Sequence, residues 1–292
     1  MKIILSRKGF DSANGGCASP ILPDGRLLSL PIPASKSPTT FHKIQFDDLN
    51  LGHVAEQLTR GRIKRTGFTH LDPDINYASL PREEEWRPAF GQANAAQKHL
   101  RNFNVGKGDL FLFFGWFREI EKSLSGKLRF NPRAPDIHVI YGWLQVDDVL
   151  TVGRETKKFQ SRYPWLSNHP HLHDDFGAEN NTIYIAREHL SIGNQSSTLD
   201  VPGGGFFSKV KKNLILTDQE QELRSVWNLP SWFYPFNSST TRPPLSYHGD
   251  PKRWLEPING SLKLRTAGRG QEFVLDIEYY PEATAWLESI FS

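Results

Sequence analysis

Cysteine and methionine are almost missing: Cys17 and Met1 are the only ones in 292 residues. One thiol excludes an intrachain disulfide and any zinc–thiolate cluster, and it predicts a reducing, cytoplasmic setting. One methionine excludes a Met-rich adaptable surface. Long apolar runs are missing too. The longest, residues 110–117, is far shorter than the roughly 20 residues of a membrane-spanning helix. The opening apolar run is too short for a signal peptide, so no membrane association is expected. Net charge is only +3, too small by itself to demand a nucleic-acid partner. Hydrophobic residues at 38% and charged residues at 23% exclude a disordered chain and a coiled coil. There is no Walker loop, G-x-G-x-x-G, G-x-S-x-G or H-E-x-x-H.

Aromatic rings are what the sequence has in plenty: 8 Trp, 8 Tyr and 19 Phe. They fill cores, and they also make stacking surfaces for bases. Basic residues gather at Arg60, Arg62, Lys64 and Arg65, and at Lys209, Lys211 and Lys212. Such runs usually belong to solvated faces.

Residues 2–5 read as a strand. Glycines and prolines between Gly9 and Pro38 exclude a long helix there, with a small strand at Leu27, Leu28 and Leu30. Residues 52–60 read as a short helix. Ala93, Ala96, Leu100 and Phe103 recur at helical spacing and predict a helix over 90–103. Residues 110–117 and 136–149 read as buried strands, with further strands at 181–186, 213–217, 262–264 and 272–277. Pro281 opens a final helix with Ala285, Trp286, Leu287 and Ile290 on its apolar side. Strands outnumber helices, without βαβ alternation, repeats or a linker-like stretch. The expectation is a single α+β domain over residues 1–292, with a mixed, mainly antiparallel sheet or barrel and peripheral helices.

Five stretches carry candidate chemistry. Ser6-Arg7-Lys8-Gly9-Phe10-Asp11-Ser12, followed by Gly15-Gly16, sets cations and a carboxylate beside glycines that let a ligand approach backbone. Ser6, Arg7, Lys8, Gly15 and Gly16 are candidate ligand-binding residues, with Arg7 and Lys8 suited to phosphate or carboxylate. Asp11 is a candidate base or ribose acceptor. An ordinary polar loop accounts for this stretch equally well. In Thr69-His70-Leu71-Asp72-Pro73-Asp74, an extended chain would point His70, Asp72 and Asp74 one way. That suits proton transfer or a divalent metal, and an Asp-Pro turn with capping carboxylates is the rival. His70 and Asp72 are taken as catalytic candidates, Asp74 as ligand-binding.

His169-Pro170-His171-Leu172-His173-Asp174-Asp175 alternates three imidazoles, which are common metal ligands. The spacing matches no zinc signature and reads first as an exposed loop, so His169, His171 and His173 are secondary metal candidates. Trp116 and Arg118 close a strand with a ring and a cation that could stack on a base and contact a phosphate. In Gly268-Arg269-Gly270-Gln271-Glu272, Arg269 offers anion binding and Gln271 a base-edge amide, although a tight turn fits as well. His248 is isolated, and Cys17 has no nucleophile motif around it.

Leu5-Ser6-Arg7-Lys8-Gly9-Phe10-Asp11-Ser12, Gly15-Gly16, Ser19-Pro20-Ile21, Pro23-Asp24-Gly25, His70-Leu71-Asp72-Pro73-Asp74, Gly91-Gln92, Gly108-Asp109-Leu110-Phe111-Leu112-Phe113-Phe114-Gly115-Trp116-Phe117-Arg118 and Gly270-Gln271-Glu272-Phe273-Val274 together resemble a bacterial family, the nucleotide-modification-associated domain, third type. The resemblance spans nearly the whole chain. It implies association with systems that modify nucleic-acid bases and carries over no catalytic residue. At fold level only, Gly108-Asp109 before one strand and the Gly142-containing second strand are similar to PUA-like, ASCH and EVE domains. Those are small mixed β-barrels that bind RNA or modified bases, which implies a PUA-like core around residues 100–150.

These readings converge on a nucleotide- or base-handling protein of a base-modification system. The first expectation is an enzyme acting on a nucleotide or a base in DNA. Arg7 and Lys8 would hold phosphate, Asp11 with His70 or Asp72 would move protons, and Trp116 and Arg118 would clamp the base. The second is a non-catalytic reader of modified bases in DNA or RNA, using the aromatics with Arg269 and Gln271. The third is a metal-dependent hydrolase built on the histidine run. The expected partner is a nucleotide or nucleic acid, DNA ahead of RNA.

Overall fold

Runs rich in β-branched and aromatic residues form the centre of the molecule. The computed structural model describes residues 1–173, 177–193, 198–237, 240–255 and 257–292. Nine strands make the main sheet. They are β1 (Lys2–Arg7), β2 (Ser19–Ile21), β3 (Ala89–Gln92), β4 (Leu110–Lys122), β5 (Leu128–Phe130), β6 (Ile137–Thr151), β7 (Thr182–Ala186), β8 (Gly204–Phe206) and β9 (Glu272–Asp276). The order is β9-β1-β4-β6-β7-β3, with β2 and β5 added to β4 and β8 to β6. β1 and β2 run parallel to β4, and the other pairings of this sheet are antiparallel. Around it lie α1 (Leu51–Leu58), α2 (Asn94–Asn102), α3 (Thr156–Arg162) and α4 (Ala283–Phe291). The class is α+β. The sheet does not close into a barrel, so residues around 100–150 are the middle of an open sheet. Among the described residues, no helix is long and apolar enough to cross a membrane.

Leu110, Phe111, Leu112, Phe113 and Phe114 are all fully buried. Successive side chains point to opposite faces, so both faces of β4 are covered. On one face Phe90 meets Phe111 and Phe113 edge-on, at 5.0 and 5.2 Å between ring centroids. On the other, Phe114 meets Trp227 edge-on at 5.0 Å. The β4–β6 register shifts between Phe113 and Phe114, leaving Tyr141 as the extra residue of a bulge. Gly142 follows it because a Cβ there would lie 2.4 Å from Ile75 Cδ1.

Several local expectations give way to tertiary pairing. Residues 90–92 are strand, since Phe90 and Gly91 pair with Tyr184 and Ile183 of β7. The helix starts at Asn94, because a neighbouring strand outweighs weak local propensity. Residues 213–217 form a 3-10 turn at Lys212–Leu214 followed by isolated bridges. Leu27 makes only a bridge to Ile21. In α4 the buried residues are Ala283, Leu287 and Ile290, spaced for one helical face, and Ala285 is exposed. The short helix α1 is held at its start by Asn50, whose side-chain oxygen accepts from the Gly52 and His53 N–H groups. Asn50→Ala should cost about 1 kcal/mol, read from the shift in a urea unfolding midpoint.

Candidate functional site

β1 ends between its two neighbours. The Arg7 N–H donates to Gln271 O and the Lys8 N–H to Phe114 O. Alternation then sends consecutive side chains to opposite sides of the sheet. Lys8 lies over the Phe90 ring at 4.6 Å, while Arg7 lies over Phe114 and Phe273 at 5.8 and 5.6 Å. Two polar sites therefore form at one strand end.

On the Lys8 side, the Nζ pairs with Glu272 Oε1 at 2.7 Å, and Gln92 Nε2 donates to the same oxygen. Beyond Lys8 lies a cluster of histidines around Asp72. The Asp72 carboxylate is buried, with Oδ1 accepting from the Gly91 N–H at 2.8 Å. His169 Nε2 is 3.4 Å from Oδ1, long for a hydrogen bond. His70 Nε2 and His171 Nε2 each stand 3.8 Å from Oδ2. Burial opposes ionisation of Asp72, but the three imidazoles outweigh it and hold the pKa at about 2. Burial pushes His171 down to about 3 despite Asp72, so its ring is neutral at pH 7. His70 is lowered too, by burial first, with the Lys8 charge among the further causes. Next to Asp72 is a cavity of about 70 Å³, lined also by Gly9, Ser29, Asp74 and Tyr141.

The long-range packing of this cluster is specific. His171 sits on a 3-10 turn, Pro170–Leu172, against β3. A Cβ on Gly91 would lie 2.2 Å from the His171 ring, so only glycine lets the imidazole come in. Asn181, at the start of β7, donates from Nδ2 to the His171 carbonyl, and its Oδ1 is 2.7 Å from His171 Nδ1.

On the Arg7 side is a cleft of about 340 Å³ lined by Arg7, Lys8, Trp116, Asp136, His138 and Arg224, among others. Arg224 lies over the Trp116 ring at 4.1 Å, and the indole N–H donates to Asp136. Arg7 donates to the carbonyls of Ala267 and Gly268. Burial lowers its pKa, and the nearby Arg224 charge adds to that against the pull of Asp11. Among the described residues, neither guanidinium has a carboxylate within 4 Å, and Arg7 Nε is buried without a hydrogen-bond partner. His138 is pushed down to about 3 by burial and then by Arg7 and Arg224.

A family model described as nucleotide modification associated domain 3 matches residues 2–276. The chain belongs to that family. No curated protein and no solved structure matches it. The family description points to nucleotide modification and specifies neither reaction nor substrate.

In this member of the nucleotide modification associated domain 3 family, the structure brings His70, Asp72, His169 and His171 together from segments a hundred residues apart. His173 follows the turn, half-buried, with its N–H donating to Pro170 O, outside the group with metal-ligand spacing, which is His70, Asp72 and His171. Asp174 and Asp175 lie outside the described residues. Asp74 is held by Arg82 through two contacts of 2.5 and 2.8 Å, a structural pair. Asp11 Oδ1 accepts from the Ala13 and Asn14 N–H groups, closing its own loop near Arg7. Gly15 and Gly16 both take positive φ, 89° and 69°, and a Cβ on Gly15 would strike the Phe10 ring and one on Gly16 would crowd Arg62. Ser6 is fully buried, its Oγ without a partner among the described residues.

Arg118 donates to the Asn131 and Pro132 carbonyls. The ring–cation pair in the cleft is therefore Trp116 with Arg224. Arg269 and Gln271 are exposed, and the parts of that turn near the site are the Ala267 and Gly268 carbonyls and Glu272. Burial pushes the Cys17 thiol up to about 11, against the pull of Arg62. Arg224, His138 and Asn181 carry no local signal as site residues, and Gln92 and Glu272 stand in the sequence only as members of quoted stretches, without a role of their own. Each reaches the site through a contact distant in sequence.

Proposed function

We propose that this protein is an enzyme acting on a nucleotide or on a base in DNA, anchored through phosphate in the Arg7–Arg224 cleft. One observation carries the reading. Two guanidiniums and an indole line a single cleft, and among the described residues neither guanidinium has a carboxylate within 4 Å, although Asp136 and Glu222 also line the cleft and Asp11 lies near Arg7. Guanidinium forks match phosphate geometry, and Arg224 lines the cleft over the Trp116 ring with no carboxylate within 4 Å among the described residues. The reacting group would meet the cluster of His70 and Asp72. Lys8 links the two sides: it lines the cleft, and its charge acts on His70.

Fluorescence anisotropy with short DNA and RNA, competed by free nucleotides at low and moderate salt, tests the anchor. Binding should weaken with salt if the ligand is a polymer. Arg224→Gln should weaken binding at least about tenfold through the loss of a charge-assisted contact. Unchanged binding in that variant removes the cleft from the reading. Nucleoside mass spectrometry then separates chemistry from recognition: a product lost in Asp72→Asn supports the enzyme, and binding without any product favours a reader.

A further inference from the structure

We propose that His70, Asp72 and His171 bind one divalent transition-metal ion, with remaining positions open to water or substrate. The three residues offer ligand atoms that all lie within 4.8 Å of one another. Asp72 Oδ2 is 3.8 Å from both Nε2 atoms, too far for a hydrogen bond. Ligands on one ion at about 2.1 Å in tetrahedral geometry are about 3.4 Å apart, so the Asp72 edges must shorten by about 0.4 Å and the edge between the two imidazoles by up to about 1.4 Å, which a turn of the more exposed His70 ring supplies.

The surrounding hydrogen bonds aim the ligand atoms at that triangle. The His171 carbonyl can only accept, so the Asn181 amide nitrogen must face it, as it does. Asn181 Oδ1 therefore faces His171 Nδ1 at 2.7 Å, and that nitrogen must carry the proton. The Nε2 lone pair is left pointing toward Asp72. Orientation of a ligating histidine through its other ring nitrogen is the usual outer support of a metal site. Asp72 is oriented in the same way: Gly91 donates to Oδ1, leaving Oδ2 toward the imidazoles. His169 plays a different part. Its Nδ1 accepts from the His171 N–H, so its proton sits on Nε2, toward Oδ1. At 3.4 Å from Oδ1 and without a hydrogen-bond partner among the described residues, that proton-bearing nitrogen offers a metal no lone pair.

Two imidazoles and one carboxylate suit Zn²⁺, Fe²⁺ or Mn²⁺ better than Mg²⁺ or Ca²⁺, which prefer oxygen shells. Three protein ligands with an open position are the pattern of catalytic rather than structural sites. His70 is the accessible corner, with 20% of its side chain exposed against 5% and 3% for Asp72 and His171. The pairing also explains why the histidine run matches no linear zinc spacing: it supplies one ligand, and residues 70–72 supply two.

The test uses the tag-free full chain, dialysed against Zn²⁺, Mn²⁺ or Mg²⁺ and analysed by inductively coupled plasma mass spectrometry. One zinc per chain and no retained magnesium is the expected result. His70→Ala, at the accessible corner, and Asp72→Asn should each lose about a hundredfold in zinc affinity, and Asn181→Ala about tenfold. His173→Ala should lose nothing. Circular dichroism melts check that the variants fold, and zinc X-ray absorption of the loaded protein should show two imidazoles. Substoichiometric zinc, full affinity in both His70→Ala and Asp72→Asn, or loss in His173→Ala would overturn the site. The measurement involves no nucleotide, so it succeeds or fails independently of the cleft.

Discussion

Gly91→Ala should destabilise the protein by about 3 kcal/mol and lower zinc affinity about a hundredfold. The backbone at Gly91 is ordinary strand paired with Ile183, so the cost is purely steric. The new Cβ would lie 2.2 Å from the His171 ring, well inside van der Waals contact. The ring has nowhere to go. It is buried, and both its Nδ1 and its carbonyl are held by Asn181 at 2.7 Å. Moving the strand instead would pull the Gly91 N–H from Asp72 Oδ1, disturbing a second ligand. Urea unfolding and zinc dialysis on the same preparation check both halves. Stability and affinity at wild-type levels would mean that the ring has room to shift, and the packing argument for this glycine would fall.

Acidification from pH 7.5 to 5.5 should cost at least about 3 kcal/mol of stability from His138 and His248, with the buried His171, pushed down to about 3, adding to it. His138 and His248 are buried as acceptors. His138 Nδ1 takes the Trp227 indole N–H at 3.0 Å, and His248 Nε2 takes the Ala267 N–H at 3.0 Å. Protonating either ring breaks that bond and buries a charge. Burial, with Arg7 and Arg224, pushes His138 down to about 3, and burial pushes His248 down to about 4. In the unfolded chain both titrate near 6.5. The folded values are depressed, so this stability is fully present above about pH 6.5 and is lost as pH falls toward 4 and 3. Each ring contributes about 1.4 kcal/mol per pH unit within that window. Urea midpoints at several pH values measure the slope, which should correspond to at least two protons and to three with His171. Trp227→Phe removes the donor to His138 and should reduce the slope. A flat profile between pH 7.5 and 5.5 would refute the assignment of both rings.

Local pattern carried much of the design. The long central strands follow from apolar and aromatic runs bounded by turn residues, and β1, β4, β6, β7 and β9 lie where those runs do. The polar strand end at Arg7 and Lys8, and the alternation of His70 with Asp72, are short-range features, so they were legible. Pairing was not. Residues 90–92 look helical in isolation and become strand because β7 lies beside them. The cluster needs His171 packed on Gly91, and Asn181 behind it. The Lys8 site needs Gln92 and Glu272, 180 residues apart. Arg224 reaches Trp116 across more than a hundred residues, while Arg118, two residues from Trp116, is tied to a hairpin. By itself the sequence determined the class, the positions of the long central strands and the short polar stretches at Arg7–Lys8 and His70–Asp72, because periodicity and turn chemistry act over a few residues. Only the tertiary structure decided which imidazole meets which carboxylate and which guanidiniums share a cleft, because sheet pairing and burial join segments that no local rule relates.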